Sequence, residues 1–215
     1  MTTDADDPQP AKVTTRIQIV ELIVLSIVAL ATAWSGFQAT AWGGRQALLY
    51  GQASSTRFQA DAASTYAGQE LAADASMFTA WLQAADAGDA QLQQRLEQRF
   101  TPDYAAAFHA WLRTDPLHDP TAPAGPALMP QYRNPSAEQA ASLNEQASDL
   151  FSEGTDARET ANEYARNAIL FATVLFLVAV AQRFGDVRIR IAADTVSILL
   201  LLVTLSSVGT SPRVW

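Results

Sequence analysis

Three charge-poor apolar stretches, residues 17–36, about 168–184 and 191–209, enclose a long acidic, alanine-rich segment. A helix needs about 20 mostly apolar residues to cross roughly 30 Å of hydrocarbon. The first and third stretches approach that length. The second has its apolar core at 168–181, with Thr173 as the one polar member, and reaches a crossing length by taking in Tyr164, Gln182 and Phe184. The expected fold is all-α: three transmembrane helices, at 17–36, 166–184 and 191–209, with one long polar excursion between the first and second.

At 215 residues the chain has room for one membrane unit and one module outside it. It contains no cysteine, so disulfides, thiolate zinc sites and cysteine nucleophiles are excluded. A module outside the bilayer must then hold itself together by helix packing. Arginine outnumbers lysine 13 to 1, and this, with the abundant alanine, reads as the coding bias of a high-GC bacterium. Residues 37–165 carry 16 acidic and 7 basic side chains, a net of −9. Such a surface repels nucleic acid and anionic headgroups, and solvation of an exposed helical bundle accounts for it.

Basic residues in short loops mark the cytoplasmic side. Arg183, Arg188 and Arg190 cluster between the second and third spans, and Lys12 and Arg16 precede the first. The tail 1–16 and the turn 185–190 are therefore expected in the cytoplasm, with 37–165 and the C-terminal 210–215 outside. Asp4, Asp6 and Asp7 weigh little in this rule. Trp34, Phe37 and Trp42 are placed as an aromatic girdle at the outer leaflet, with Trp215 anchoring the other end. A rival reading takes 17–30 as a signal-peptide core, with Ala31-Thr32-Ala33 as its cleavage site. The apolar run is long for such a core and continues into helical sequence without a break, which favours an uncleaved anchor in a bacterial inner membrane.

From residue 17 to about 86 there is no proline, so the first span is expected to continue outward as one long helix. Ala87-Gly88-Asp89 reads as a stop and restart, 91–100 as a short helix, and Thr101-Pro102-Asp103 as the capped start of another that runs to about Thr114. Six of the ten prolines lie between Pro116 and Pro135, so 115–135 is a loop. Ser136-Ala137-Glu138-Gln139 reads as a capping box that opens a return helix into the second span. That helix carries an a/d seam of coiled-coil type: Leu143, Ala147, Leu150, Gly154, Ala157, Ala161, Tyr164 and Ala168. Its expected partner is the outward part of the first helix, antiparallel to it. The first helix is the longer of the two; either it bends near Gly68 or the two short helices pack on its far end. An internal echo favours the second arrangement. Phe78-Thr79-Ala80-Trp81-Leu82 and Phe108-His109-Ala110-Trp111-Leu112 share F-x-A-W-L, and Phe78, Trp81, Phe108 and Trp111 can form an apolar cap or line a ligand pocket.

Glu21 and Asp194 are the acids within the expected spans, at similar depth. Intramembrane acids are costly and point to an ion site, a proton site or a gate. The structural alternative pairs them with Arg183, Arg188 or Arg190. Ser35/Gly36, Ala39/Thr40 and Gly43/Gly44 repeat at four-residue spacing, a small-residue stripe that permits close helix packing within the chain or between subunits. Enzyme constellations are thin. His109 lies near Asp103, Asp115 and Asp119 in sequence, but no metal-ligand spacing, phosphate loop or nucleophile elbow occurs.

The run Ala33-Trp34-Ser35-Gly36-Phe37-Gln38-Ala39, continuing into Trp42, Gln46-Ala47, Tyr50 and Ala53-Ser54, resembles a group of small uncharacterised bacterial membrane proteins. The segment from Trp111-Leu112 to Pro130 resembles the same group. The resemblance implies one N-terminal span, a helical extracytoplasmic segment and two closing spans, and it implies no activity or cofactor. Three functions follow from the residues. The leading one is a non-enzymatic scaffold or accessory subunit, working with membrane lipid around it and with copies of itself or another membrane protein as partner. The others are a homo-oligomeric channel using Glu21 and Asp194 with Thr195, Ser197 and Thr204, and an extracytoplasmic ligand sensor built on the two tryptophan motifs.

Overall fold

The computed structural model describes the backbone of residues 9–183 and 187–213, with side chains throughout except at 9–18, 20, 187 and 210. The proposed anchor Trp215, the span residue Phe184, the acids Asp4, Asp6 and Asp7, and the side chains of Lys12 and Arg16 lie outside the described residues. The described chain is helical without strands: α1 (Gln9–Asp86), α2 (Ala90–Glu97), α3 (Pro102–Leu112), a 3₁₀ turn (Pro126–Leu128), α4 (Pro135–Ala181) and α5 (Val187–Thr210). Three of these helices, α1, α4 and α5, are long and apolar enough to cross a membrane.

Helix boundaries follow local chemistry. With no proline beyond Pro10 in its first turn, α1 runs unbroken for 78 residues. It ends where Gly88 takes a left-handed backbone (φ 69°), and the amides of Gly88 and Asp89 close on the carbonyls of Ala85 and Ala84 at 3.0 and 2.9 Å. Only glycine adopts that conformation readily. Asp89 then caps α2, its carboxylate accepting from the Leu92 amide at 2.9 Å. Thr101 caps α3 with Pro102 at its first position, and α3 stops at Leu112, two residues earlier than the sequence indicates. The start of α4 differs from the expected capping box. Asn134, not Ser136, is the cap: its side-chain oxygen accepts from the Ala137 amide at 2.8 Å, and Pro135 occupies the first helical position. An Asn-Pro pair supplies both the acceptor and a preset φ, so it wins over a serine two residues on. Glu138 is instead held by the Arg133 guanidinium, with contacts of 2.7 and 2.9 Å. At the other end, α5 already begins at Val187, so Arg188 and Arg190 are helical rather than part of a turn at 185–190.

The chain divides into two compact units, residues 1–50 with 151–215, and residues 51–150. In the first, α1, α4 and α5 pack around Val28, Phe171, Val174, Val178 and Leu201. Positions Glu21, Val28, Ser35, Trp42 and Leu49 of α1 step by seven, and all five are buried or half-buried. On α4 the seam residues Gly154, Ala157, Ala161, Tyr164 and Ala168 are likewise buried or half-buried, and the stripe continues through Phe171, Val174 and Val178. Gly154 sets the closest approach. A β-carbon there would lie 2.6 Å from the Tyr50 ring and 3.4 Å from the Leu49 β-carbon. Tyr50 uses that space to stack on Phe151, centroids 5.0 Å apart, and its hydroxyl meets the Thr155 hydroxyl at 3.3 Å. The end of α5 is tied back to both long helices, because the Pro212 carbonyl accepts from the Tyr164 hydroxyl at 2.9 Å and the Trp42 indole at 3.2 Å. Trp42, expected in an outward girdle, is thus half-buried, whereas Phe37 of the same girdle is exposed.

This unit is apolar outside and encloses polar side chains beside its apolar core. Leu22, Leu30, Phe176, Ile169, Leu199 and Val203 are each more than half exposed, while Glu21, Ser35, Gln38, Asn167, Ser197 and Thr204 are buried. Water would not tolerate an apolar face of that extent on three neighbouring helices, and hydrocarbon would.

In the second unit, Ala53, Ala60, Ala67, Asp74 and Trp81 of α1 again step by seven and turn inward. Helix α3 lies on the α1 end through rings, and α2 joins it through Trp81, whose indole donates to Glu97 at 2.8 Å. The proline segment is held at several points. Trp111 donates to the Pro123 carbonyl at 2.6 Å, Asp119 accepts from the Thr121 amide and hydroxyl at 2.8 and 2.7 Å, and the Asn134 amide donates to the Ala67 carbonyl at 3.2 Å. Gly125 passes so close to Phe78 that a β-carbon would sit 3.2 Å from its ring.

Gly154→Leu is expected to destabilise the first unit by about 1–3 kcal/mol through overpacking against Tyr50 and Leu49. Gly68→Leu, where a β-carbon meets nothing within 4 Å, is expected not to destabilise. Thermal unfolding in detergent, followed by circular dichroism, compares the two.

Candidate functional site

Two polar constellations stand out, one in each unit. The first lies among the spans. Glu21, on the inward stripe of α1, accepts from the Arg190 guanidinium at 2.7 Å, and the two side chains are 5% and 17% exposed. Asp194, one helical turn beyond Arg190 on α5, is half-buried with Glu21 and Arg190 as its charged neighbours. Glu21, Asp194 and Ser197 line a cavity of about 10 Å³ with Val24, Val178 and Ile198. That is room for about one water molecule. Ser197 is fully buried and its hydroxyl has no partner, and neither has the buried Nε of Arg190. Arg183, the other arginine named from sequence, is exposed at the end of α4 and forms no ion pair among the described residues. Of the remaining third-span hydroxyls, Thr204 is buried but bonded to the Leu200 carbonyl at 2.8 Å, and Thr195 is exposed and bonded to the Ile191 carbonyl at 2.7 Å. The i−4 carbonyl is the usual resource of a hydroxyl in a membrane helix. Ser197 alone of these three leaves it unused.

The small-residue stripe splits between the two faces of α1. Ser35 is buried and Ala39 and Gly43 are half-buried, whereas Gly36, Thr40 and Gly44 are exposed. Gly36, Gly43 and Gly44 each have open space where a β-carbon would stand.

In the second unit the four aromatic residues of the F-x-A-W-L echo come together. Phe78 meets Trp111 edge-on at 4.9 Å, Trp81 meets Phe108 at 5.0 Å, and the two tryptophans meet at 6.2 Å. Phe100 and Tyr104 extend the cluster. Edge-to-face pairs at this spacing add to the burial of area, and both indole N–H groups have partners.

Asp74 is a buried carboxylate that the sequence reading does not single out. It occupies the inward stripe of α1 at 7% exposure and accepts from the Tyr132 hydroxyl at 3.3 Å. Burial pushes its carboxyl above the usual aspartate range, the Tyr132 hydrogen bond opposes this, and Glu70 adds to it. The Tyr104 phenol rises for the same reason, burial first and the charge of Asp74 second. Asp74, Glu70, Asp103, Tyr132 and Arg133 line a cleft of about 280 Å³. The available signal was an aspartate on the seven-residue repeat of alanines. Of the two histidines, His109 is exposed, and His118 bonds Asp115 at 2.8 Å, which holds its imidazole above the usual range. Among the described residues no three Asp, Glu or His side chains converge to hold a metal ion.

Compared with protein-family models, curated proteins and solved structures, the chain gives no significant match.

Removing Arg190 leaves two carboxylates facing each other, so Arg190→Leu is expected to cost about 3–5 kcal/mol. Glu21→Gln is expected to cost less, because Asp194 remains to balance Arg190. Chemical unfolding in micelles tests that order. At Asp74 the folded state binds its proton at higher pH than the unfolded chain. Between the ordinary aspartate range and the raised value, stability therefore falls as pH rises. Asp74→Asn is expected to remove that slope, read as the difference between variant and parent in tryptophan-monitored unfolding.

Proposed function

We propose that the chain is a non-enzymatic integral membrane protein of a bacterial inner membrane, with residues 37–165 outside as an assembly module. It works as a scaffold or accessory subunit, alone in copies or beside another membrane protein. The basic residues flanking the spans support a cytoplasmic N-terminus. The observation that carries the assembly reading is the outward half of the small-residue stripe. Gly36, Thr40 and Gly44 are exposed, and no atom stands over either glycine. In lipid, helices associate through backbone approach at such residues, so close packing there is left to another chain. A pore through one copy is less well supported, since the cavity beside Glu21 and Asp194 measures about 10 Å³. The resemblance to small uncharacterised bacterial three-span proteins is compatible with this role and adds no activity to it.

Native mass spectrometry of the gently extracted complex is expected to show copies of the chain or a second polypeptide in fixed ratio. Gly36→Leu with Gly44→Leu is expected to strip that complex to a folded single chain. A lone chain in the parent, or an undisturbed complex in the variant, would contradict the proposal.

A further inference from the structure

The proline segment holds two Asp-Pro bonds, Asp115–Pro116 and Asp119–Pro120, both on exposed aspartates. Such a bond is open to attack by its own side chain. The carboxylate reaches its own carbonyl carbon through a five-membered ring, and proline departs as a more basic nitrogen than other residues supply. Three features set the first bond apart. Among the described residues Asp115 is the one non-glycine with a left-handed backbone, at φ 50°. A side chain rarely takes that conformation, and the residue before a proline is restricted further. Its carbonyl oxygen accepts from two backbone amides, those of His118 at 3.1 Å and Asp119 at 2.9 Å. Paired amides aimed at one carbonyl polarise it and are suited to holding a tetrahedral oxyanion. His118 lies against the carboxylate, Nδ1 to Oδ1 at 2.8 Å, and the Asp115 hydrogen bond and charge hold its imidazole above the usual histidine range. Asp119 differs on each count. Its backbone is not left-handed, its carboxylate accepts from the Thr121 amide and hydroxyl, and its carbonyl accepts from one amide, that of Ala122 at 3.2 Å.

We propose that the chain cleaves itself between Asp115 and Pro116. The Asp115 carboxylate attacks its own carbonyl carbon through Oδ2, and the oxyanion forms under the amides of His118 and Asp119. As that intermediate collapses, the bond to Pro116 breaks and the prolyl nitrogen takes the proton of the His118 imidazolium. Water then opens the cyclic anhydride to a C-terminal aspartate, releasing two protons, one of which restores the imidazolium. Each chain reacts once on itself, so no substrate site is required. The fold keeps the new ends together, because Trp111 holds the Pro123 carbonyl, Asp74 holds Tyr132, and the Ala67 carbonyl holds Asn134 across the break.

The test incubates the full chain in detergent from about pH 8 down to about pH 5, the range in which histidine charges, and reads the products by intact-mass spectrometry. Fragments 1–115 and 116–215 are expected, forming faster as His118 takes up its proton, with Asp119–Pro120 left intact. His118→Ala is expected to slow the cleavage about a hundredfold, the low end for a positioned general acid. Asp115→Gly, which accepts the left-handed backbone and removes the nucleophile, is expected to abolish it. Unfolding in urea is expected to remove the preference for the first bond. An intact folded chain throughout the range, equal cleavage at both Asp-Pro bonds of the folded chain, a rate unchanged in His118→Ala, or a preference that survives urea would each overturn the proposal.

Discussion

The approach of α1 to α4 across small residues is the contact on which the remaining packing depends. Gly154 leaves room for the Tyr50 ring, and with Leu49 this brings the two backbones together at one end of the membrane-type unit. From there the inward stripes of both helices run through Ser35 and Val28 on one side and Tyr164, Phe171 and Val178 on the other. Helix α5 adds Leu201 to the core and is tied to this pair by polar groups as well. The Pro212 carbonyl takes hydrogen bonds from Tyr164 and Trp42, Asn167 reaches Ser207 at 3.4 Å, and Arg190 reaches Glu21. Lipid supplies no hydrophobic drive between apolar helices, so close backbone approach and interhelical hydrogen bonds must do the joining. The second unit solves a different problem. Its stripe of alanines on α1 gives way at Phe78 and Trp81 to large rings, and α3 packs on those rings.

The same contrast governs how the first unit handles its polar groups. An outward face made of Leu22, Leu30, Phe176 and Val203 can sit in hydrocarbon, and the polar groups it conceals bond one another or the carbonyls of their own helix. Glu21 and Arg190 solve this as a pair. The Ser197 hydroxyl beside them has no partner among the described residues. The exposed glycines of α1 leave open surface on the bundle, whereas the acidic cleft at Asp74 belongs to the aromatic unit.

Much of this was legible in the chain. Hydropathy places the three long helices, and the proline-free stretch makes α1 continuous. Glycine and aspartate at 88 and 89 mark a break with a definite hydrogen-bond pattern, and the return seam from Leu143 to Ala168 is visible because its members recur by three and four. The inward stripe of α1 was not legible, for a physical reason. Its members include Glu21, Ser35 and Asp74 as well as alanines, so no apolar periodicity announces it. The cap of α4 was misplaced because a serine with glutamate nearby looks as strong on paper as Asn134-Pro135, and only geometry shows which amide is reached. The partner of Glu21 was open among three arginines until helix α5 proved to begin at Val187, which turns Arg190 inward. Asp74 meets Tyr132 across 58 positions of sequence, and no local pattern encodes that meeting.

Disulfide trapping at the α1–α4 contact tests the account most directly. The chain has no cysteine of its own, and a β-carbon at position 154 falls 3.4 Å from that of Leu49, next to the roughly 3.5–4.5 Å separation of a disulfide. With Tyr50→Ala to clear the ring, Leu49→Cys and Gly154→Cys are expected to close an intramolecular bond under mild oxidation, seen as a thiol-sensitive mobility shift of a single chain. Free thiols after oxidation, or cross-links only between chains, would contradict the packing from which both the ion pair and the assembly role are argued.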